Sequence, residues 1–367
     1  MSLIPSCRSA VLGLAIGLSL ASLDGAGRQA SAADKLIYAT YITDAYSATR
    51  TDVWVMKEIE KRTNGEIKFE TYWANSLLKA ADLFPGLSSG AADIVMSAPA
   101  AYNPREYPLS QIVMPFLTSR ADALTLAWNE LHATNADFRK QFESKGAKVL
   151  YATSWAENTV WSKKAIAKVD DLKGLKVRAV PPISDALQKL GATPVALAWG
   201  EGLEGLQRGV VDAMSAAPFD SAVVGNVQDV AKFGTDAAGT GPFAMAVTAI
   251  SLARYNKLSE AHRKIIDEVA AEAPAQGIKM LDASVDAATD KLCAMKEKLT
   301  ISNFSPEEIE KVQKLSAVAL QDEWVKRADA LKVDGTAMLA QFKALLKKHE
   351  QTGSYVLGFD RYKKKCG

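Results

Sequence analysis

Arg178 is the side chain that the sequence best equips for chemistry. It ends a short alternating run in which Leu175, Val177 and Ala179 are apolar and Lys176 and Arg178 are charged, before Pro181 and Pro182 stop any strand ladder. A guanidinium offers a rigid planar fork that pairs bidentately with a carboxylate; the plainer use of an arginine here is an ordinary ion pair. Aromatic and polar residues gather at the ends of other expected strands. Tyr41, Asp44 and Tyr46 follow the first, Tyr72, Trp73 and Asn75 the second, and Ser97 and Tyr102 the third; Trp155, Glu157, Asn158, Trp199, Met214 and Phe219 stand later in the chain. Each alone fits packing as well as contact, but together they suit a ligand cleft, which mixes a few polar groups with many apolar ones. Catalysis has less support. His132, His262 and His349 lie on expected helices without a companion carboxylate or hydroxyl motif, and no Walker loop, G-x-G-x-x-G, H-E-x-x-H or G-x-S-x-G occurs. No enzyme activity, cofactor or metal is expected.

The elements that must position these residues read as two parallel βαβαβ units. In the second, a strand at 175–179 leads to a helix over 183–190 capped by Gly191, a strand at 194–197, a helix ending at Gly209 and a strand at Val210-Val211. In the first, strands at 35–41, 67–72 and 93–96 alternate with helices over 48–62 and 80–87. Such sheets bind ligands beyond the carboxyl ends of their strands. Two crossings, near 154–161 and 239–248, would join the lobes as a hinge. From Ser259 onward the chain turns helical, with Pro274 expected to bend or interrupt a long helix, further helices from Pro306 and over 335–350, and a solvated basic tail at Lys363–Lys365. The expected fold is α/β and two-lobed, each lobe a mostly parallel sheet flanked by helices, with long C-terminal helices bracing both.

DLKGLKVR (171–178), ALQKLGATPV (186–195) and WGEGLEGLQRGVVDA (199–213), with Met114-Pro115-Phe116-Leu117 earlier, resemble the signature region of the solute-binding proteins of tripartite ATP-independent periplasmic (TRAP) transporters, the DctP-type family. The similarity extends over most of the chain. It implies a periplasmic binding protein fold, an Arg178 that contacts a ligand carboxylate, and delivery of the ligand to TRAP membrane permease subunits. Lobe I would comprise 33–156 with 242–285, and lobe II 157–241 with 286–367. Two departures bear on the ligand: Glu157 or Asn158 stands where many members carry a second arginine, and Ala217 where they commonly carry asparagine before a proline. Both argue against a heavily charged di- or polyacid and for a small monocarboxylate with an apolar or amino substituent. The alternatives are a cationic amine held by Trp155, Trp199 and Glu157, a secreted enzyme on the same scaffold, or a sensor subunit.

Composition agrees. At 367 residues, 48% hydrophobic and 23% charged, the chain can bury two cores, and a net charge of +2 with interspersed signs offers no face to nucleic acid. Arg8, the apolar run Ala10–Leu20 and Ala30-Ser31-Ala32 read as a secretory signal, 1–32, cleaved before Ala33, whose loss with Arg8, Asp24 and Arg28 leaves a charge of +1. No other stretch is apolar enough to span a membrane, so the mature protein is expected in the periplasm and not membrane-embedded. Cys293 and Cys366 are left as either a disulfide or two free thiols.

Overall fold

The computed structural model describes residues 34–367; the expected signal, 1–32, lies outside the described residues. Eleven strands occur there, in chain order β1 (Asp34–Thr40), β2 (Ile67–Tyr72), β3 (Ile94–Ser97), β4 (Ala147–Ser154), β5 (Asn158–Ser162), β6 (Lys176–Arg178), β7 (Thr193–Val195), β8 (Ala213–Pro218), β9 (Phe233–Thr235), β10 (Met245–Ser251) and β11 (Thr300–Ser302). They form two sheets, of order β2-β1-β3-β10-β4 and β11-β9-β5-β8-β6-β7. The βαβαβ cores are parallel: β1 pairs with β2 and β3, and β6 with β7 and β8. Both sheets are nonetheless mixed, because β4, β5 and β10, which carry the chain between lobes, enter antiparallel.

Local sequence explains the framework. All four residues of β3, IVMS, are buried, as a central strand requires. The helix Ser47–Arg62 turns Val55, Met56 and Ile59 inward and ends at Asn64 and Gly65, both at positive φ. One strand is shifted from its expected place: Val210 is half exposed in the turn after Gly209, and β8 starts at Ala213. The two crossings touch each other, with Trp155 N donating to Ala244 O (3.3 Å) and Asn158 N to Gly241 O (3.0 Å). That pair of short segments joins the two lobes, the placement expected of a hinge.

The C-terminal third ties the lobes together. The helix Glu260–Ala294 runs 35 residues, about 50 Å, straight through Pro274. It packs against Ser47–Arg62 and β4 in the first lobe and Phe219–Val224 in the second. Burial of Ile266, Val269, Ala273, Leu281, Val285 and Leu292 along it outweighs the cost of one interior proline, about 3 kcal/mol. The helix Gly335–Glu350 lies on the helix Ala121–Thr134, with Leu339, Phe342 and Leu346 in the cluster around Trp128. A strap then crosses the hinge: Asp122 Oδ2 accepts from Ser354 N (2.8 Å) and Tyr355 N (3.0 Å). The basic end is a helix, Gly358–Cys366, pinned to the long helix by the Cys293–Cys366 disulfide.

Candidate functional site

Arg178 ends β6 beside Met214 of β8 and Val195 of β7. It is 1% exposed. Its Nε donates to Leu197 O (3.0 Å), and its Nη1 to Ser215 O (3.2 Å) and Ala216 O (3.0 Å). Successive carbonyls of a regular strand point to opposite edges, so two in a row reaching one nitrogen needs a cause. β8 supplies it: an extra residue opposite β5 makes a bulge, and Ala216 adopts φ +49°. Asn158 braces this bulge, with Oδ1 accepting from Ala217 N (3.1 Å) and Nδ2 donating to Ser215 Oγ (3.1 Å). Gly202 clears the other side, since a Cβ there would come within 3.1 Å of Arg178 Cγ, Cδ and Nε.

None of the three carbonyl bonds uses Nη2, and among the described residues no carboxylate lies within ion-pair distance of the guanidinium. Burial lowers its pKa from the ordinary value, the phenols of Tyr102 and Tyr41 opposing this; an arginine nevertheless stays charged. Glu201, a carboxylate acting on it, accepts from Ala198 N (3.0 Å) at the start of the helix Trp199–Arg208.

Arg178 opens onto a cavity of about 430 Å³ of atom-free space, its mouth to solvent included. The first lobe contributes Tyr41, Ile42, Tyr46, Ala98, Ala101 and Tyr102; the second contributes Arg178, Val180, Trp199, Ala216, Pro218 and Ser221; the crossings add Trp155, Phe243 and Ala244. Arg178 is the sole charged residue in this lining. Trp199 lies over its guanidinium, 5.5 Å from the ring centre, and Tyr41 meets Tyr102 edge-on at 5.0 Å.

Of the residues singled out from sequence, the structure brings Arg178, Trp155, Trp199, Tyr41, Tyr46 and Tyr102 together and places the others elsewhere. Glu157 is 3% exposed and faces the strap, its Oε2 accepting from Tyr355 Oη (2.6 Å) and its Oε1 from Gly358 N (2.5 Å); burial pushes its pKa up to about 7. Asn158 supports the bulge. Met214 and Phe219 are fully buried in the second lobe's core, Phe219 against Phe359 at 5.1 Å. Ser97 is buried and donates to Ala80 O (3.3 Å), Trp73 packs on Tyr38, and Tyr72 donates to Glu70 (2.5 Å). Asp44 is exposed. The histidines also lie away from the cavity: His132 stacks on Trp128, His262 bonds Glu66 and His349 bonds Glu130. Sequence reasoning missed Ile42, Val180, Ser221, Phe243 and Ala244. Phe243 and Ala244 fall inside the expected second crossing, which is a positional signal; Ile42, Val180 and Ser221 carry none.

A chain of two βαβαβ lobes joined by a double crossing is matched by a known family. The family model for bacterial extracellular solute-binding protein, family 7 (DctP) matches residues 48–327. The chain belongs to this family. Among DctP relatives, the ectoine-binding periplasmic protein TeaA of Halomonas elongata is 24% identical over 290 residues, 77% of this chain and 82% of its own. A TRAP solute-binding protein from Rhodoferax ferrireducens, solved with copurified benzoate, superposes with TM-score 0.78 at 25% identity, covering 87% of this chain and 99% of that one. A marine metagenome TRAP protein specific for aromatic acid ligands, solved with 3-hydroxybenzoate, gives TM-score 0.77 at 26% identity over 87% and 100%. DctP proteins of this kind are the solute-binding components of TRAP transporters, and the two-lobed fold is theirs.

Proposed function

We propose that this protein captures a small monocarboxylate with an aromatic or otherwise apolar body in the periplasm and hands it to the membrane component of a TRAP transporter. One observation carries the reading: Arg178 is a buried cation without a protein counter-ion, opening on a cavity in which it is the only charge. A buried charge is costly unless paired, and a ligand carboxylate at Nη2 supplies the partner. The ring-rich remainder of the lining matches an apolar body and offers no second cation for a dicarboxylate. The benzoate and 3-hydroxybenzoate held by the two structural relatives support the same class. An amine ligand is disfavoured, because Glu157, the carboxylate it would need, is engaged by the strap.

The ligand would touch Tyr41, Tyr46 and Tyr102 of one lobe and Arg178 and Trp199 of the other, so only the closed state gains all its contacts. A melting-temperature screen tests the class. Benzoate, 3-hydroxybenzoate, benzylamine, benzyl alcohol, succinate and ectoine are compared, a ligand at 100 Kd stabilising the fold by about 2.7 kcal/mol. The aromatic acids are expected to raise the melting temperature. A rise with benzylamine or succinate alone would overturn the assignment.

A further inference from the structure

Tyr46 and Ser47 are consecutive residues at the start of the helix Ser47–Arg62, and each reaches across to the second lobe. Trp199 Nε1 donates to Tyr46 Oη over 2.8 Å, and Ser47 Oγ donates to Asp220 Oδ2 over 3.0 Å. Trp199 opens the helix Trp199–Arg208, and Asp220 sits in the helix Phe219–Val224. Gly225, ending that second helix, closes against the first bond: a Cβ there would stand 3.4 Å from Trp199 Cζ2 and 3.6 Å from Tyr46 Oη. Asp220 is fully buried and also accepts from Ser221 Oγ (3.3 Å). The partners of each bond belong to different lobes, so each bond couples one lobe to the other.

The two bonds relate differently to the cavity. Tyr46 and Trp199 line it, and the Trp199 ring also covers the Arg178 guanidinium. Ser47 and Asp220 do not line it. One indole therefore links the anion-holding group to the first lobe, while one buried carboxylate closes the joint behind it.

We propose that the Tyr46–Trp199 and Ser47–Asp220 bonds form a closure latch that sets how long a bound molecule is held, with Trp199 and Asp220 as positioning residues. The proposal rests on reading the cavity as an anion site that closes on its ligand. A hydrogen bond across the cleft stabilises the closed state alone, so it slows release and leaves encounter unchanged. It also sets how far the lobes close before a ligand arrives.

The test pairs stopped-flow release of benzoate with small-angle X-ray scattering of the ligand-free protein, on variants with unchanged cooperative melting. Ser47→Ala removes one bond without touching the cavity lining; Tyr46→Phe removes the acceptor of the other and keeps the ring. Each variant is expected to release benzoate about three- to tenfold faster, the usual worth of one hydrogen bond, with association within about twofold, and to show a larger ligand-free radius of gyration. Trp199→Phe combined with Tyr46→Phe is expected to be no faster than Trp199→Phe alone, since both break the same bond. Wild-type release from Ser47→Ala and Tyr46→Phe, with unchanged scattering, overturns the latch. If the wild type fails to bind benzoate, the ligand class is wrong, and the scattering comparison still decides the latch.

Discussion

Replacing Arg178 separates the two tasks assigned to it. Its Nε and Nη1 satisfy the carbonyls of Leu197, Ser215 and Ala216, and Nη2, which makes none of these bonds, is the nitrogen proposed to meet the ligand. Arg178→Ala leaves three carbonyls short of a donor, and the buried two, of Ser215 and Ala216, each cost about 1–3 kcal/mol where water cannot enter. It also strips a ligand carboxylate of its charge partner, a loss of roughly 2–5 kcal/mol, or about 30- to 5,000-fold in affinity. Arg178→Lys retains the charge and three donors but not the fork, so it cannot hold three carbonyls and a carboxylate together. The lysine variant is therefore expected to melt closer to the wild type and still bind benzoate at least about tenfold more weakly. Titration calorimetry with benzoate, and with benzyl alcohol as the uncharged control, reads the ligand term; thermal unfolding reads the structural one. Folded Arg178→Ala protein that binds benzoate within about threefold of the wild type, under 1 kcal/mol, would refute the reasoning.

Three further perturbations follow from the same geometry. Glu157 has a native pKa of about 7 against 4.5 when free, so the folded chain binds its proton more tightly; its contribution is complete below about pH 4.5 and lost as pH rises through 7. Up to ~3 kcal/mol is at stake, and Glu157→Gln should flatten that part of the melting profile between pH 5 and pH 8; a wild-type-minus-variant difference that does not move with pH would count against this. Replacing Cys293 and Cys366 with serine opens a loop of sequence separation 73, worth about 4 kcal/mol in the chain-entropy account. Unfolding in denaturant should register that loss, and an unchanged midpoint would contradict the bridge. Gly202→Ala favours the helix by roughly 0.5–1 kcal/mol but crowds Arg178 at 3.1 Å, so benzoate affinity should fall while the melting temperature holds; the reverse pattern would be inconsistent with the packing described.

Much of the fold was legible because it is local. Alternation around Val177, the helix over 48–62 and the glycines at 191 and 209 specify strand, helix and turn from neighbours in sequence. Arg178, Trp155, Trp199, Tyr41, Tyr46 and Tyr102 were legible for the same reason, as strand ends and crossings of such units converge on one cleft. What escaped depends on contacts far apart in the chain. Glu157 faces the strap because Tyr355 and Gly358, some 200 residues on, return to the hinge. The bulge that aims two carbonyls at Arg178 lies in an alanine-rich run, Ser215-Ala216-Ala217, with no glycine to announce its positive φ. Pro274 stays inside a helix because that helix is held by packing on both lobes rather than by propensity.

The central claim is that one guanidinium, held by three carbonyls, reserves its remaining nitrogen for a ligand acid. A crystal structure of the protein grown with benzoate tests it most directly. The account predicts the carboxylate within hydrogen-bonding distance of Arg178 Nη2, about 2.7–2.9 Å, with the ring among Tyr41, Trp155 and Trp199. Benzoate bound elsewhere, or seated in the cavity with its carboxylate turned away from Arg178, would contradict it.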